Sequence, residues 1–329
     1  MRGPACFSKE ESQVFQNLLV AINAVVPFLC FLGLGMGARR LGMVEEPFLQ
    51  KLTSLTFALM FPCMTFYNIY SADPEEVPSV SLLVFVGAAI LALEGALLAV
   101  VPRLVRENAR RGVIIQAVYR SNFVLFGLPL TGSIYGQEKT VMAAMLVTVV
   151  LTIYNLTSVV ILELFNGSAG EKLTAAHIGS RLVKNPMLQG CCVGLLCFAV
   201  GFRLPACLED PIRQFANMTT PLAMFALGGT LRFQAIRRNL RLLLPTVAAK
   251  LVLVPLVMVS AAYALGLRGI ELFLVVAVFG TPVASGSYPM AMNMGGDGEL
   301  AGQMVFVSTI LAIVTLFLWI FFLGVAGLL

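Results

Sequence analysis

Charge is the scarcest commodity in this chain of 329 residues: 12% are Asp, Glu, Lys or Arg, against roughly a quarter in a soluble domain. That leaves very little sequence for a solvated globular surface. Histidine occurs once, at His177 in a loop. The apolar segments hold no nucleophile–base pair and no ligand cluster, so we expect no enzyme, no metal site and no cofactor. The seven cysteines (Cys6, Cys30, Cys63, Cys191, Cys192, Cys197 and Cys207) include no C-x-x-C pair, and most lie in apolar runs. Free buried thiols fit that pattern better than zinc or a disulfide framework. The net charge of +5 comes from basic residues in short loops. It is a topology signal and points to no nucleic-acid partner.

What the chain has is apolar length: 59% of it is hydrophobic. A membrane span takes about 20 apolar residues. Ten spans are expected, at 17–38, 48–70, 79–101, 112–135, 140–164, 185–201, 212–231, 242–265, 270–293 and 301–325. The first run is too long for a signal-peptide core and lacks an A-x-A exit, so it is kept as a span. Lys and Arg set the orientation. The loops after spans 1, 3, 5 and 7 hold 14 of them, including Arg39, Arg103, Lys172 and Arg232. The opposite loops hold six, and also the acidic trio Asp73, Glu75 and Glu76. The basic side is cytoplasmic on this reading, which puts both termini outside the plasma (inner) membrane. Asn155 and Asn217 match glycosylation sequons inside or at the edge of spans, Asn166 matches one in the cytoplasmic linker, and all three read as chance matches.

The chain repeats itself. At an offset of 159, Pro27 meets Pro186, Gly35 meets Gly194, Gly42 meets Gly201, Pro62 meets Pro221, Phe66 meets Phe225 and Ala89 meets Ala248. At 160, Pro129 meets Pro289 and Gly136 meets Gly296. The expected fold is all-α and polytopic, ten helices in a 5+5 inverted repeat, because an odd unit repeated must sit upside-down. The first unit is 1–165, a short cytoplasmic linker is 166–184, and the second unit is 185–329. Spans 4 and 9 carry proline and glycine halfway along, in 122–140 and 282–300. Proline removes a helix hydrogen bond, and in lipid the freed group must be satisfied by protein or water. Paired breaks of this kind point to a transporter's substrate site. Half-helices starting near Pro129 and Pro289 are expected to cross near the midplane and aim their positive ends at one point, which suits a carboxylate.

The candidate substrate residues around that point are Asn122, Gly127, Pro129, Thr131, Pro282, Ser285, Ser287, Tyr288, Pro289 and Asn293. Asn122 competes with a role as interhelical glue, and Tyr288 with plain packing. Glu94 in span 3 and Lys250 in span 8 are ionisable residues well inside spans and are coupling candidates. They are expected to face the interior, at similar depth, close enough to interact. Arg120 is expected to snorkel toward the cytoplasm or to line an access path. No aspartate lies near either break, which argues against a cation exchanger and for an anionic or neutral solute. A potential of 100 mV is worth about 2.3 kcal/mol per charge, enough to drive anion export alone; uptake needs proton or sodium coupling.

The run Asn122-Phe-Val-Leu-Phe-Gly127-Leu-Pro129-Leu, followed by Tyr135-Gly136, is similar to the N-x-x-x-x-G-x-P-L stretch of the auxin efflux carrier family. That family includes plant PIN carriers and bacterial permeases for malonate and related organic acids. Thr281-Pro282-Val-Ala-Ser285-Gly-Ser-Tyr-Pro289, then Asp297-Gly-Glu-Leu and Val307-Ser308-Thr309, is a looser second match. The resemblance covers both halves. It implies a fold like that of bile-acid transporters and sodium/proton antiporters. It also implies a scaffold domain of helices 1, 2, 6 and 7 and a transport domain of helices 3–5 and 8–10, with elevator-type alternating access. A homodimer through the scaffold and contact between Asn122 and the substrate carboxylate are further implications. The central loop is short and Ala284-Ser285 differs from the plant carriers, which favours the shorter permeases over auxin itself. GxxxG at Gly33–Gly37 and Gly190–Gly194 suits close contact within the scaffold or at a dimer interface.

The reading that results is a secondary active or potential-driven carrier of small organic anions. A sodium-coupled carrier of larger amphipathic anions stands second. A membrane sensor that kept the binding site stands third.

Overall fold

In a computed structural model, residues 4–72, 78–136, 138–166 and 175–328 are described. Asp73, Glu75, Glu76 and Lys172 lie outside them. The described residues are all-helical: α1 Pro4–Arg40, α2 Glu46–Tyr70, α3 Val80–Leu104, α4 Asn108–Tyr119, α5 Phe123–Tyr135, α6 Glu138–Leu164, α7 Ala175–Lys184, α8 Pro186–Val200, α9 Ala206–Thr230, α10 Phe233–Ala264, α11 Ile270–Gly280, α12 Ser287–Asn293 and α13 Gly298–Val325. Five of them, α2, α3, α6, α10 and α13, are long and apolar enough to cross a membrane by length and composition. Shorter apolar helices are α5, α8 and α11. His177 falls in α7, not in a loop.

Element boundaries keep the spacing of the sequence repeat. Glu46–Tyr70 and Ala206–Thr230 stand 160 residues apart at both ends. α2 and α10 each absorb a proline with one wide π-type turn, Thr56–Met60 ahead of Pro62 and Ala249–Leu253 ahead of Pro255. Such a turn accommodates the ring and the missing N–H without ending the helix.

The helices pack as two sets joined by α1, which also lies against α13 and α5. In the first set, α1 lies along α9 and α2 lies along α8 and α9. Backbones touch there. A side chain at Gly35 would run into the Phe225 carbonyl, one at Gly228 into the Leu32 carbonyl, and one at Gly194 would meet the Phe66 carbonyl at 3.0 Å. Gly190 is pressed against Pro62 in the same way. Gly33 and Gly37 face open space instead, so in α1 the contact glycine is Gly35. In the second set, α4 and α11 are buried on every side, from Gly112 to Tyr119 and from Leu272 to Gly280. A helix apolar all round belongs in an interior, and here α5, α6 and α13 surround the pair.

Candidate functional site

Both broken helices are present, and the breaks fall earlier than the prolines suggested. The first comprises Arg120, Ser121 and Asn122, between α4 and α5. The second runs from Thr281 to Gly286, between α11 and α12. Pro282 is the breaker in the second half: a residue before proline avoids the helical region, and Thr281 is extended at φ −73°, ψ 156°. Pro289 sits in the first turn of α12, where a missing N–H costs nothing. Pro129 lies inside α5 and is exposed, outside the break.

The two extended pieces pair with each other. Ser121 and Val283 form an antiparallel bridge. The Asn122 N–H donates to the Pro282 carbonyl at 2.8 Å, and the Ala284 N–H to the Arg120 carbonyl at 3.4 Å. The remaining backbone is held by side chains. Ser308 Oγ accepts from the Val283 N–H at 3.1 Å. Ser121 Oγ donates to the Val278 carbonyl, and Thr281 Oγ1 to the Ala277 carbonyl at 2.9 Å. These bonds satisfy main chain that lipid would leave unpaired.

The expected site residues divide by what their side chains do. Asn122 is 8% exposed and its side chain caps nothing. Pro282 and Ser285 of the second break are buried as well. Ser287 is 2% exposed, and its hydroxyl has no hydrogen-bond partner among the described residues. Tyr288 bonds Thr230 on α9 at 2.9 Å. The others serve helix packing. Gly127 makes room for the Phe123 ring and approaches Ala277. Thr131 donates to the Gly127 carbonyl of its own helix at 2.7 Å. Asn293 is exposed and donates to the Pro289 carbonyl. α5 starts at Phe123, so its first N–H groups have no partner within the helix and face the break. α12 has only seven residues, too short to bring the positive end expected of it.

Arg120 does not snorkel. It is 3% exposed. Its Nη2 donates to Asn155 Oδ1 at 3.0 Å and its Nη1 to the Met290 sulfur. Gln116, one turn earlier on α4, donates to the same sulfur at 3.4 Å. Arg120 Nε and Gln116 Oε1 are buried without partners among the described residues. No carboxylate pairs with this guanidinium there. Gly286 lines it too: a Cβ at that position would lie 3.4 Å from Arg120 Nη2 and 2.9 Å from the Phe61 ring.

Gln116, Asn155 and Met290 were not among the expected site residues, and Arg120 was expected only to snorkel or to line an access path. Asn155 was readable as a lone amide deep in an apolar span; the convergence on Met290 depends on tertiary packing and had no local signal.

Glu94 and Lys250 are both buried, at 5% and 0% exposed, but they do not meet. Glu94 accepts from Thr157 Oγ1 at 2.6 Å. Lys250 Nζ has no hydrogen-bond partner among the described residues. The reason is architectural: α3 packs on α4 and α6, while the π turn carrying Lys250 packs on α4, α11 and α13. From Glu94 the bonds lead through Thr157 to Tyr119 at 3.3 Å and on to Ser158 at 2.7 Å. Tyr119 is the last residue of α4, next to the break. A separate cavity of about 190 Å³ is lined by Glu46, Thr230, Arg232, Tyr288, Glu299 and Gln303. Of the expected site residues, Tyr288 is the one in its lining.

The membrane transport protein family model matches residues 20–320. An "uncharacterized transporter" of Methanothermobacter thermautotrophicus is 25% identical over 307 residues, covering 90% of this chain and 96% of that protein. A family match over nearly the whole length, on an all-helical chain with apolar spans and two paired helix breaks, places this integral membrane protein in the membrane transport protein family, that of the auxin efflux carriers, and makes it a transporter.

Proposed function

We propose that the chain is a secondary carrier of small organic anions that binds its solute at the paired breaks. One observation carries the reading: a buried guanidinium, Arg120, lies at the break with no carboxylate partner among the described residues, and the Asn122 amide beside it caps nothing. A buried charge is tolerated when it is paired. An anionic solute supplies the pairing, and a cation is repelled.

The architecture behind this reading is ten spans in a 5+5 inverted repeat. Its support is a set of exchanged contacts. Gly35 packs on Phe225 and Gly194 packs on Phe66, and these are repeat-equivalent residues in swapped roles, as a twofold axis in the membrane requires. Asn122 and Pro282, also equivalent, hydrogen-bond each other. The first helix set is the scaffold and the second the transport domain. Polar ties between them are sparse: Tyr288–Thr230 at 2.9 Å, Asn155–Thr65 at 3.5 Å and Asn185–Met294 at 3.6 Å. A seam of that kind suits elevator-type sliding. Glu94, bonded through Thr157 toward Tyr119, is the carboxylate for proton coupling. Cytoplasmic basic loops, outside termini and a scaffold homodimer complete the proposal.

The test is uptake and efflux of radiolabelled dicarboxylates and indole-3-acetate in proteoliposomes, under imposed voltage and pH gradients, for the wild type and Asn122→Ala. Anion flux that is lost in Asn122→Ala supports a carrier using the paired breaks. No flux of any anion from folded protein overturns it.

A further inference from the structure

Two donors of different helical turns, Gln116 Nε2 and Arg120 Nη1, converge on one methionine sulfur. A thioether is a weak acceptor, whereas a guanidinium is matched by a carboxylate in charge and in its two-pronged geometry. Two more donors nearby in the fold are buried and unpaired among the described residues, Arg120 Nε and Ser287 Oγ, while Gln116 Oε1 is an unpaired acceptor. Ser287 lies three residues before Met290, on the same side of α12. Met290 itself is fully buried, and methionine is unbranched and readily repacked.

We propose that Gln116, Arg120 and Ser287 form an anion-holding subsite separate from the Asn122 amide, and that the Met290 thioether stands in it as a displaceable plug. The ligand is an anionic oxygen, taken as one carboxylate of the solute. When it enters, the sulfur swings out and the guanidinium exchanges a weak acceptor for a charged one. Asn155 accepts from Nη2 and holds the guanidinium in place, so Nη1, once the sulfur has left it, remains for the ligand. Phe61 and Gly286 close the site around it. The inference rests on the carrier reading for its solute, but binding can be measured without flux.

The experiment is thermal unfolding of the purified full chain in detergent, titrated with malonate and with the neutral isostere malonamide at constant ionic strength and pH. For the wild type, malonate raises Tm and malonamide does not. A charge-assisted bond is worth about 1.5–3 kcal/mol, so Arg120→Gln weakens the malonate midpoint about tenfold to a hundredfold. Met290→Leu keeps the volume and removes the competing acceptor, so it tightens that midpoint about threefold or more. Because Arg120→Gln alone could misfold, Met290→Leu gives an independent reading of opposite sign. An unchanged malonate response in folded Arg120→Gln, or equal responses to malonamide and malonate, overturns the subsite. So does a Met290→Leu midpoint no tighter than wild type. Parallel proteoliposome flux separates the two readings. Flux with an unaltered KM in Arg120→Gln sinks the subsite and leaves the carrier. Arg120-dependent binding without any anion flux leaves the subsite and sinks the carrier.

Discussion

The two helix breaks occupy equivalent places 160 residues apart, yet they are made of different material. The first is three residues long, has neither proline nor glycine, and carries Arg120 and Asn122. The second is six residues long, has Pro282 and Gly286, and carries no charge. A thirteen-residue helix follows the first and a seven-residue helix the second. The second break therefore supplies backbone shape and the first supplies side-chain chemistry. Pro282 ends its own helix and offers the carbonyl that holds Asn122 in an extended form. The first half needs no breaker of its own because its partner provides the template.

That division of labour is open to test, beginning with the largest effect. Asn122→Ala is expected to lower anion flux about tenfold to a hundredfold, the worth of a charge-assisted hydrogen bond, with little change in Tm. The structural bond of this residue is made by its N–H, which alanine keeps. A Tm loss matching the flux loss would show that the amide is structural glue. Gly286→Val overfills the space against Phe61 and Arg120. Overpacking costs about 1–3 kcal/mol, read as a lower Tm, and disturbs Arg120, read as weaker anion binding. Ser308→Ala leaves the Val283 N–H unpaired and should cost about 1–3 kcal/mol in unfolding experiments, with KM nearly unchanged, since Ser308 holds only backbone.

The legibility of the chain followed the same divide. Helix positions were readable because apolar length is a local property: Pro186–Val200 matches the expected 185–201 within a residue. The existence of two breaks was readable from the repeated Pro and Gly. Their position was not, because Pro129 and Pro289 look alike in sequence. Tolerance of proline depends on where it falls, on an exposed face of α5 and in the first turn of α12. The charges were the least legible. Glu94 and Lys250 were expected at similar depth, but depth says nothing about which neighbours a helix faces, and α4 is the one main neighbour their elements share. Arg120 was expected to snorkel or to line an access path; at the break it is buried.

Tyr288 sharpens the contrast between the halves with the smallest effect. Its counterpart 160 residues earlier is Leu128, which has no hydroxyl, whereas Tyr288 beside the second break is tied to the first helix set through Thr230 at 2.9 Å. Tyr288→Phe keeps the ring against Gly302 and removes that tie. A neutral hydrogen bond is worth about 0.5–1.5 kcal/mol, so Tm should drop only slightly. If the tie resists sliding of one helix set on the other, its loss lowers the barrier to movement. Turnover should then rise, by up to about tenfold for 1.4 kcal/mol, while KM stays within about twofold. A raised KM at constant turnover would instead make Tyr288 a solute contact. The second break would then contribute side-chain chemistry as well as shape, and the division between the halves would fail.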